Sequence, residues 1–192
     1  IKPLTPPIWK KASCIAAVSA WVRQMALENY PVPIEVIPNG IPAEWVHTDP
    51  PLAHQPPGIL FAGRFVEQKN LPVLLDTLEA VRDLSWTATR AGDGQLHAWV
   101  EQQLFERGLN ERVRLTGWIT PGAVVDLCRG SDIYFMPSLT EGLPLTGVMG
   151  LSAGLALVLS NAGGNVDLVE HGKNGYLFPP DDVMSFSAAL RG

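Results

Sequence analysis

Short apolar runs alternate with amphipathic stretches along most of the chain. Leucine and valine recur at positions 71, 74, 75, 78 and 81, the spacing of one helix face. The run at 59–63 before them is continuously apolar, as is typical of a strand buried on both faces. The pattern predicts strands at 14–19, 34–37, 59–63, 86–91, 113–116, 132–136 and 155–160. It predicts helices at 20–29, 71–81, 95–107, 121–129, 145–153 and 182–190.

Helices that separate short, apolar strands indicate right-handed crossovers between parallel strands. The predicted fold class is therefore α/β, a doubly wound and mainly parallel sheet with helices on both faces. A proline-rich stretch without apolar periodicity occupies 41–57, and it is the best candidate for a linker between domains. We expect one unit at 1–48, a linker at 49–57 and a second unit at 58–192.

Composition narrows the classes of function. The chain has 192 residues, and the 46% of them that are hydrophobic are enough for a hydrophobic core. Its net charge of −5 argues against a nucleic-acid partner. Positions 143–166 carry no charge, but their glycines and prolines favour a buried helix and strand over a membrane span. Two cysteines form no disulfide framework, and the four histidines lack the spacing of a metal site.

The loops that follow the strands are the places to look for chemistry, because parallel sheets bind ligands beyond the carboxyl ends of their strands. In the loop at 63–70, Arg64 and Lys69 lie five residues apart, just before a predicted helix. A helix start offers free N–H groups and a positive dipole, so two cations there are typical of a phosphate site. The alternative is a solvated loop whose charges are incidental.

A second loop, at 137–145, contains one acid, Glu141, ahead of Gly142 and an uncharged helix. Backbone N–H groups at such a helix start hold an anion or a sugar hydroxyl. The alternative is an acid that merely caps the helix. The glycines at 92 and 94 indicate a tight turn rather than a phosphate loop, and 163–165 reads as a flexible turn, whose role stays open.

Eight segments occur in a definite order from position 18 to position 182. They are V-S-A-W-V-R at 18–23, V-I-P-N-G-I at 36–41, I-L-F-A-G-R-F-V-E-Q-K-N at 59–70, A-G-D-G at 91–94, V-R-L-T-G-W-I at 113–119, S-D-I-Y-F-M-P-S-L-T-E-G-L-P-L at 131–145, G-L-A-L-V-L-S at 154–160 and G-K-N-G-Y-L-F-P-P-D-D at 172–182. In this series the chain resembles the retaining, family 4 (group 1) glycosyltransferases of the GT-B fold.

The resemblance implies two Rossmann-like domains that face each other across a cleft. Residues 1–48 then correspond to the end of the acceptor-binding domain, and 58–192 correspond to the domain that binds the nucleotide-sugar. Arg64 and Lys69 match the cations that hold the donor diphosphate, and Glu141 matches the acid that contacts the transferred sugar. These three are the catalytic residues that the resemblance predicts.

The resemblance also assigns donor-binding positions. Besides the three catalytic residues these are Gly63, Trp118, Ile119, Gly142, Leu143, Pro144, Leu145 and Met149. Trp118 and Ile119 follow the strand whose end contacts the base in this family. Met149 departs from the family, which has at this position a second glutamate that binds the ribose hydroxyls. A thioether cannot replace both hydrogen bonds.

The function that the resemblance implies is transfer of a sugar from a nucleotide-diphosphate sugar to an acceptor hydroxyl, with retention of configuration. It implies no metal and no cofactor, a cytoplasmic location, and an acceptor that is a saccharide, a lipid-linked molecule or a small molecule. The isolated chain is expected to have little or no activity. Two alternatives stay open: a non-catalytic nucleotide-sugar-binding module, suggested by Met149, and a sugar-nucleotide epimerase of the GT-B type.

Overall fold

The computed structural model describes residues 8–9, 11–46 and 53–192. The strands in the described part of the chain are β1 (Ala16–Ala17), β2 (Glu35–Val36), β3 (Gly58–Ala62), β4 (Thr87–Ala91), β5 (Val113–Gly117), β6 (Ile133–Met136), β7 (Ala156–Ser160) and β8 (Gly175–Phe178). The α-helices that the structure describes from end to end are α1 (Ala20–Asn29), α2 (Leu71–Ala80), α3 (His97–Glu106), α4 (Pro121–Arg129), α5 (Leu145–Ser152) and α6 (Val183–Arg191). Short 3-10 helices occupy Ala43–Trp45, Glu67–Lys69 and Gly163–Asp167.

Six parallel strands form the main sheet in the order β5-β4-β3-β6-β7-β8. The chain moves outward from β3 to β5 and then returns to the other side of β3 with β6. This reversal creates a crevice beyond the carboxyl ends of β3 and β6, the usual binding position in such sheets. The predicted doubly wound α/β fold is therefore confirmed. The strands β1 and β2 pair separately, also in parallel.

The core lies between the main sheet and its helices. Every residue of β3 is buried, as the continuous apolar run predicts. The leucines of α2 at positions 71, 74, 75 and 78 are buried on one face of that helix. Each such side chain contributes about 1.5–3 kcal/mol on transfer from water. The buried hydrophobic core runs from Ile59 to Phe186, with Ile41 and Trp45 packed against it.

Local capping explains where several helices begin. The Thr120 side chain accepts a hydrogen bond from the N–H of Ala123, and Pro121 occupies the first turn of α4, where its missing N–H costs nothing. Asp182 caps α6 through the N–H of Ser185, and this hydrogen bond lowers the pKa of the Asp182 carboxyl.

Three parts of the structure differ from the sequence prediction. The strand β8 was not expected, because it has only four residues, begins with a glycine, lies between Asn174 and Pro179, and forms an edge of the sheet. The expected flexible turn at 163–165 is part of a 3-10 helix with buried residues. The segment at 41–57, where no helix was expected, contains a 3-10 turn at Ala43–Trp45.

The residues before the main sheet pack against its carboxyl end. The N–H of Ala20 donates to Asp167 Oδ2 over 2.9 Å, and Asn39 Nδ2 donates to the carbonyl of Leu143 over 2.8 Å. Of the predicted linker, 49–52 lie outside the described residues. The division into units at 1–48 and 58–192 stays a prediction.

Asp132 fixes the entry to β3. It accepts hydrogen bonds from the N–H groups of Gly58 and His54. Burial acts to raise the pKa of Asp132, but these hydrogen bonds and the contact with the His54 ring outweigh it and lower the pKa.

The uncharged stretch at 143–166 contains α5 followed by β7. Among the described helices, none has both the length and the apolar character that crossing a bilayer requires.

Candidate functional site

A cavity of about 420 Å³ opens at the carboxyl ends of the strands, where the strand order reverses. Its walls come from four separate parts of the chain: the loop after β3, the end of β4, the segment from β5 into α4, and the loop after β6 with the start of α5. The fold thus brings together residues that are far apart in sequence.

Nine of the eleven residues predicted for the site line this cavity. They are Gly63, Arg64, Lys69, Trp118, Ile119, Glu141, Pro144, Leu145 and Met149. Gly142 and Leu143 belong to the loop that carries Glu141 but do not line the cavity. Leu143 is buried and its carbonyl binds Asn39, while a side chain at Gly142 would meet Val18. The roles assigned to all eleven stay predictions.

Lys69 and Glu141 form an ion pair at the base of the cavity. Lys69 Nζ lies 2.5 Å from Glu141 Oε1, and the two side chains are only 12% and 7% exposed. Lys69 Nζ also lies 3.8 Å from Met136 Sδ. An ammonium has three donors and a carboxylate has several acceptor positions, so each group keeps capacity for a ligand.

Arg64 occupies the rim of the same cavity in a different environment. Its side chain is exposed, and it forms no ion pair with any residue in the described part of the chain. A guanidinium in this position is free to present its planar fork to an anion. The site therefore contains one cation that is neutralised by Glu141 and one that is not.

The first turn of α5 also faces the cavity. Pro144 is the N-cap residue, no side chain caps the helix, and its first turn contains no acid. Leu145 and Thr146 line the cavity at this end. Uncapped N–H groups and the positive end of the helix dipole favour an anion.

Thr146 and Gln68 line the cavity although the sequence did not single them out. Thr146 Oγ1 lies 3.0 Å from the Ala62 carbonyl and 2.6 Å from the Tyr134 hydroxyl. Burial raises the pKa of Tyr134, so its phenol stays protonated and able to donate. Thr146 thereby ties α5 to the end of β3. In the sequence, only the prediction for its neighbour Leu145 pointed to this position, because a single threonine in an apolar helix has no distinctive pattern.

The opposite end of the cavity is apolar. Trp118 is 76% exposed and Met149 is 3% exposed. Ile119, Pro121 and Val124 complete this wall. An exposed indole is a surface on which a planar ring stacks. Within the described lining, Glu141 is the sole carboxylate.

The glycines at 92 and 94 serve close packing. Gly92 lines the cavity with a φ of 135°, and a Cβ there would collide with the carbonyl of Gly63. A Cβ on Gly94 would come within 2.6 Å of the Phe65 carbonyl oxygen. The two glycines therefore let the end of β4 approach the backbone of the loop that carries Arg64 and Lys69.

No cluster of three His, Cys, Asp or Glu side chains suited to a metal ion occurs in the residues that the structure describes. His97 lies 3.1 Å from Asp93 and 3.4 Å from Glu101, and His54 contacts Asp132. His47 lies outside the described residues. Cys128 is buried, and burial raises the pKa of its thiol to about 12.

Comparisons with known proteins agree with this architecture. The chain is 29% identical over 145 residues to the amylovoran biosynthesis glycosyltransferase AmsK of Erwinia amylovora, an alignment that covers 71% of the chain and 36% of AmsK. The TarM structure from S. aureus, in complex with UDP and other ligands, superposes with a TM-score of 0.84 at 19% identity and covers 94% of the chain and 36% of TarM. HepE of Anabaena, in complex with UDP and glucose, superposes with a TM-score of 0.79 at 23% identity and covers 94% of the chain and 53% of HepE.

A doubly wound parallel sheet with its cavity at the reversal of strand order defines a Rossmann-like α/β protein. The family model for group 1 glycosyl transferases matches residues 56–192. The chain belongs to this family. It spans about a third of the length of AmsK and about half the length of HepE.

Proposed function

We propose that the protein transfers a sugar from a nucleotide-diphosphate sugar to an acceptor hydroxyl, with retention of configuration, as in family 4. The observation that carries the proposal is the cavity that gathers Arg64, Lys69, Glu141 and the start of α5 at the reversal of strand order. The presence of UDP in the structures of TarM and HepE supports a nucleotide donor.

The charge distribution suits the departure of a diphosphate. As the bond to the sugar breaks, negative charge grows on the leaving phosphate oxygens. Arg64, Lys69 and the N–H groups of α5 are donors that stabilise this charge. Because side chains and a helix dipole supply the positive charge, we propose that transfer needs neither a metal ion nor an organic cofactor.

The ion pair between Lys69 and Glu141 prepares the site for this donor. An arriving diphosphate competes with the Glu141 carboxylate for the Lys69 ammonium. Once Lys69 has bound phosphate, Glu141 is free to accept a hydrogen bond from a hydroxyl of the sugar. The short Nζ–Oε1 distance of 2.5 Å means that the two groups stand close enough to contact the two halves of one ligand.

The apolar end of the cavity receives the nucleoside. Trp118 offers its indole face to the base, with Ile119 beside it. Met149 stands where the family has a ribose-binding glutamate, so the ribose loses two hydrogen bonds from that position. This loss weakens donor binding by about 1–3 kcal/mol.

The remaining parts of the proposal concern the setting of the reaction. The acceptor is a saccharide, a lipid-linked molecule or a small molecule, and the rest of the protein selects it. We propose a cytoplasmic location, where nucleotide-sugars are available, and little transferase activity for this chain alone.

Calorimetric titration of the chain with UDP, GDP and ADP tests the donor site. We expect weak binding of one of the three, which identifies the base. The variant Arg64→Ala is expected to abolish this binding. Arg82→Ala is the matched control, because Arg82 is exposed but lies outside the cavity lining. Equal affinity in both variants would show that the anion does not bind at Arg64.

In the whole enzyme, Arg64→Ala should lower kcat/KM by at least about tenfold, which equals about 1.4 kcal/mol of transition-state stabilisation. Steady-state kinetics with the donor identified by calorimetry measures this effect, and the anomeric configuration of the product, read by NMR, tests retention. Unchanged kinetics in Arg64→Ala would overturn the assignment of Arg64 to the diphosphate.

The buried Met149 favours one alternative, a module that binds a nucleotide-sugar without catalysis. A whole protein that binds the donor but neither transfers nor hydrolyses the sugar would establish it. The same assay without an acceptor tests the epimerase alternative, since an epimerase converts the donor on its own.

A further inference from the structure

The 3-10 helix Gly163–Asp167 packs directly on the backbone of the loop that carries Glu141. The N–H of Gly164 donates to the carbonyl of Glu141 over 2.9 Å. A Cβ on Gly163 would collide with the Glu141 carbonyl, and one on Gly164 would collide with the Gly142 carbonyl. Two adjacent glycines therefore allow a contact that any other residue would prevent.

A buried chain of hydrogen bonds joins the same helix to the start of this loop. Asn165 Nδ2 donates to the carbonyl of Ser160 over 3.0 Å and contacts its Oγ at 3.2 Å. Ser160 Oγ donates to the carbonyl of Ser138 over 2.5 Å. All three side chains are completely buried. The loop at 137–144 is thus held near its start, at Ser138, and at its middle, at Glu141.

The buried cluster of Ser138, Ser160 and Asn165 contains polar atoms that hydrophobic packing does not require. Ser138 Oγ and Asn165 Oδ1 are buried and have no hydrogen-bond partner in the described part of the chain. Buried polar atoms without partners reduce stability, whereas apolar groups of the same shape would not. Their presence indicates that the donor Nδ2 of Asn165 serves the position of the loop rather than the stability of the core.

The loop itself supplies little rigidity. No helix or strand forms between the end of β6 and the start of α5, so the backbone of Glu141 depends on neighbouring elements for its position. Asn165 does not line the cavity. We propose that Asn165 is a positioning residue that holds Glu141 at the cavity through Ser160 and the loop backbone. This inference rests on the proposed function, in which Glu141 orients the sugar.

Hydrogen–deuterium exchange in the whole protein tests the structural part of the proposal without any substrate. Asn165→Ala should accelerate exchange in the peptide that covers 137–144. Asn174→Ala is the matched control, because Asn174 also bonds the backbone, at Leu168 and Glu170, but does not touch the Glu141 loop. Ser160→Ala provides a second variant: it removes the Oγ that bonds Ser138 and contacts Asn165, keeps the bond from Asn165 Nδ2 to the Ser160 carbonyl, and should accelerate exchange in the same peptide.

Kinetics then separate positioning from general destabilisation. With Asn165→Ala we expect kcat to fall by about tenfold, while the Kd of the nucleoside diphosphate, measured without sugar, and the number of binding sites per chain stay unchanged. A purely structural role would lower the number of binding sites and leave kcat per site intact.

The two hypotheses fail in different ways. Unaltered exchange at 137–144 in both Asn165→Ala and Ser160→Ala would overturn the positioning role. So would an unchanged kcat per binding site. A wild-type enzyme that transfers no sugar would instead contradict the proposed function, and the exchange data would still decide whether Asn165 fixes the loop.

Discussion

Arg90 places a positive charge inside the apolar core. Its side chain is 1% exposed, and its guanidinium carbon lies 5.2 Å and 4.9 Å from the ring centroids of Phe61 and Phe65. None of its three side-chain nitrogens has a hydrogen-bond partner among the described residues. Burial lowers the pKa of Arg90 to about 9, so the group stays largely charged at neutral pH.

The balance of these effects predicts that the charge destabilises the protein. Contacts with aromatic faces contribute about 2 kcal/mol, whereas each unsatisfied buried donor costs about 1–3 kcal/mol. Arg90→Met keeps the apolar stem and removes the charge, so we expect the free energy of unfolding to rise by about 1–2 kcal/mol. Urea unfolding at neutral pH measures this change in the free energy of unfolding.

Arg90→Ala is the control for packing. It removes the stem as well as the charge and leaves a cavity between the two rings, so its free energy of unfolding should fall below that of Arg90→Met by about 2 kcal/mol or more. An equal loss of stability in Arg90→Met and Arg90→Ala would mean that the charge itself stabilises the core.

At the scale of elements, one wall of the cavity is shaped by the close approach of two backbone segments rather than by side-chain chemistry. The end of β4 reaches the loop after β3 because Gly92 has no side chain and adopts a φ of 135°. Gly92→Ala should lower the free energy of unfolding by about 2–4 kcal/mol, from backbone strain and from the collision with Gly63. It should also weaken nucleoside diphosphate binding, since Gly63 would shift.

Gly122→Ala is the matched control for this prediction. Gly122 lies in α4, its φ is not positive, and a Cβ there meets nothing within 4 Å. Alanine at this helical position should stabilise the protein by up to about 1 kcal/mol. Urea unfolding and calorimetry on both variants check the result, and a similar stability for the two would contradict the role given to Gly92.

Elements with strong periodicity were predictable, and elements defined by their neighbours were not. The helices α1 and α4 begin and end at the predicted residues, and β3 is displaced by one residue. Each has a local signal: side-chain caps at Ser19 and Thr120 begin α1 and α4, and β3 is a continuous apolar run. The edge strand β8 has neither, because it exists only through its pairing with β7. The 3-10 helix at Gly163–Asp167 likewise depends on its contact with a distant loop.

At the scale of the whole molecule, strand order decides which residues meet. Lys69 and Glu141 are 72 residues apart and form an ion pair because β6 lies beside β3 in the sheet. The sequence predicts that both loops lie at one edge of the sheet, but it does not reveal that Lys69 and Glu141 form an ion pair. The burial of Met149 and the cluster of Ser138, Ser160 and Asn165 also result from tertiary packing.

The predicted boundary at residues 57 and 58 is tested by removing residues 1–52. The buried hydrophobic core begins at Ile59, so the shortened chain should fold cooperatively. It loses the hydrogen bonds of Asn39 to Leu143 and of Ala20 to Asp167, each worth about 1 kcal/mol, and also the packing of Ile41 and Trp45 against the core. We therefore expect Tm to fall by at least about 4–8 °C, as measured by circular dichroism.

The variant Asn39→Ala in the 192-residue chain isolates one of these contacts and should lower Tm by about 2–4 °C, less than the deletion does, because it removes one hydrogen bond and keeps the packing of Ile41 and Trp45. A shortened chain that fails to fold would place the boundary earlier in the sequence, and residues 11–46 would then be part of the same folding unit. An unchanged Tm would mean that these residues rest on the sheet without stabilising it. The expected fall in Tm implies that they stabilise the loop of Glu141, through the bond of Asn39 to Leu143, and the 3-10 helix that packs on this loop, through the bond of Ala20 to Asp167.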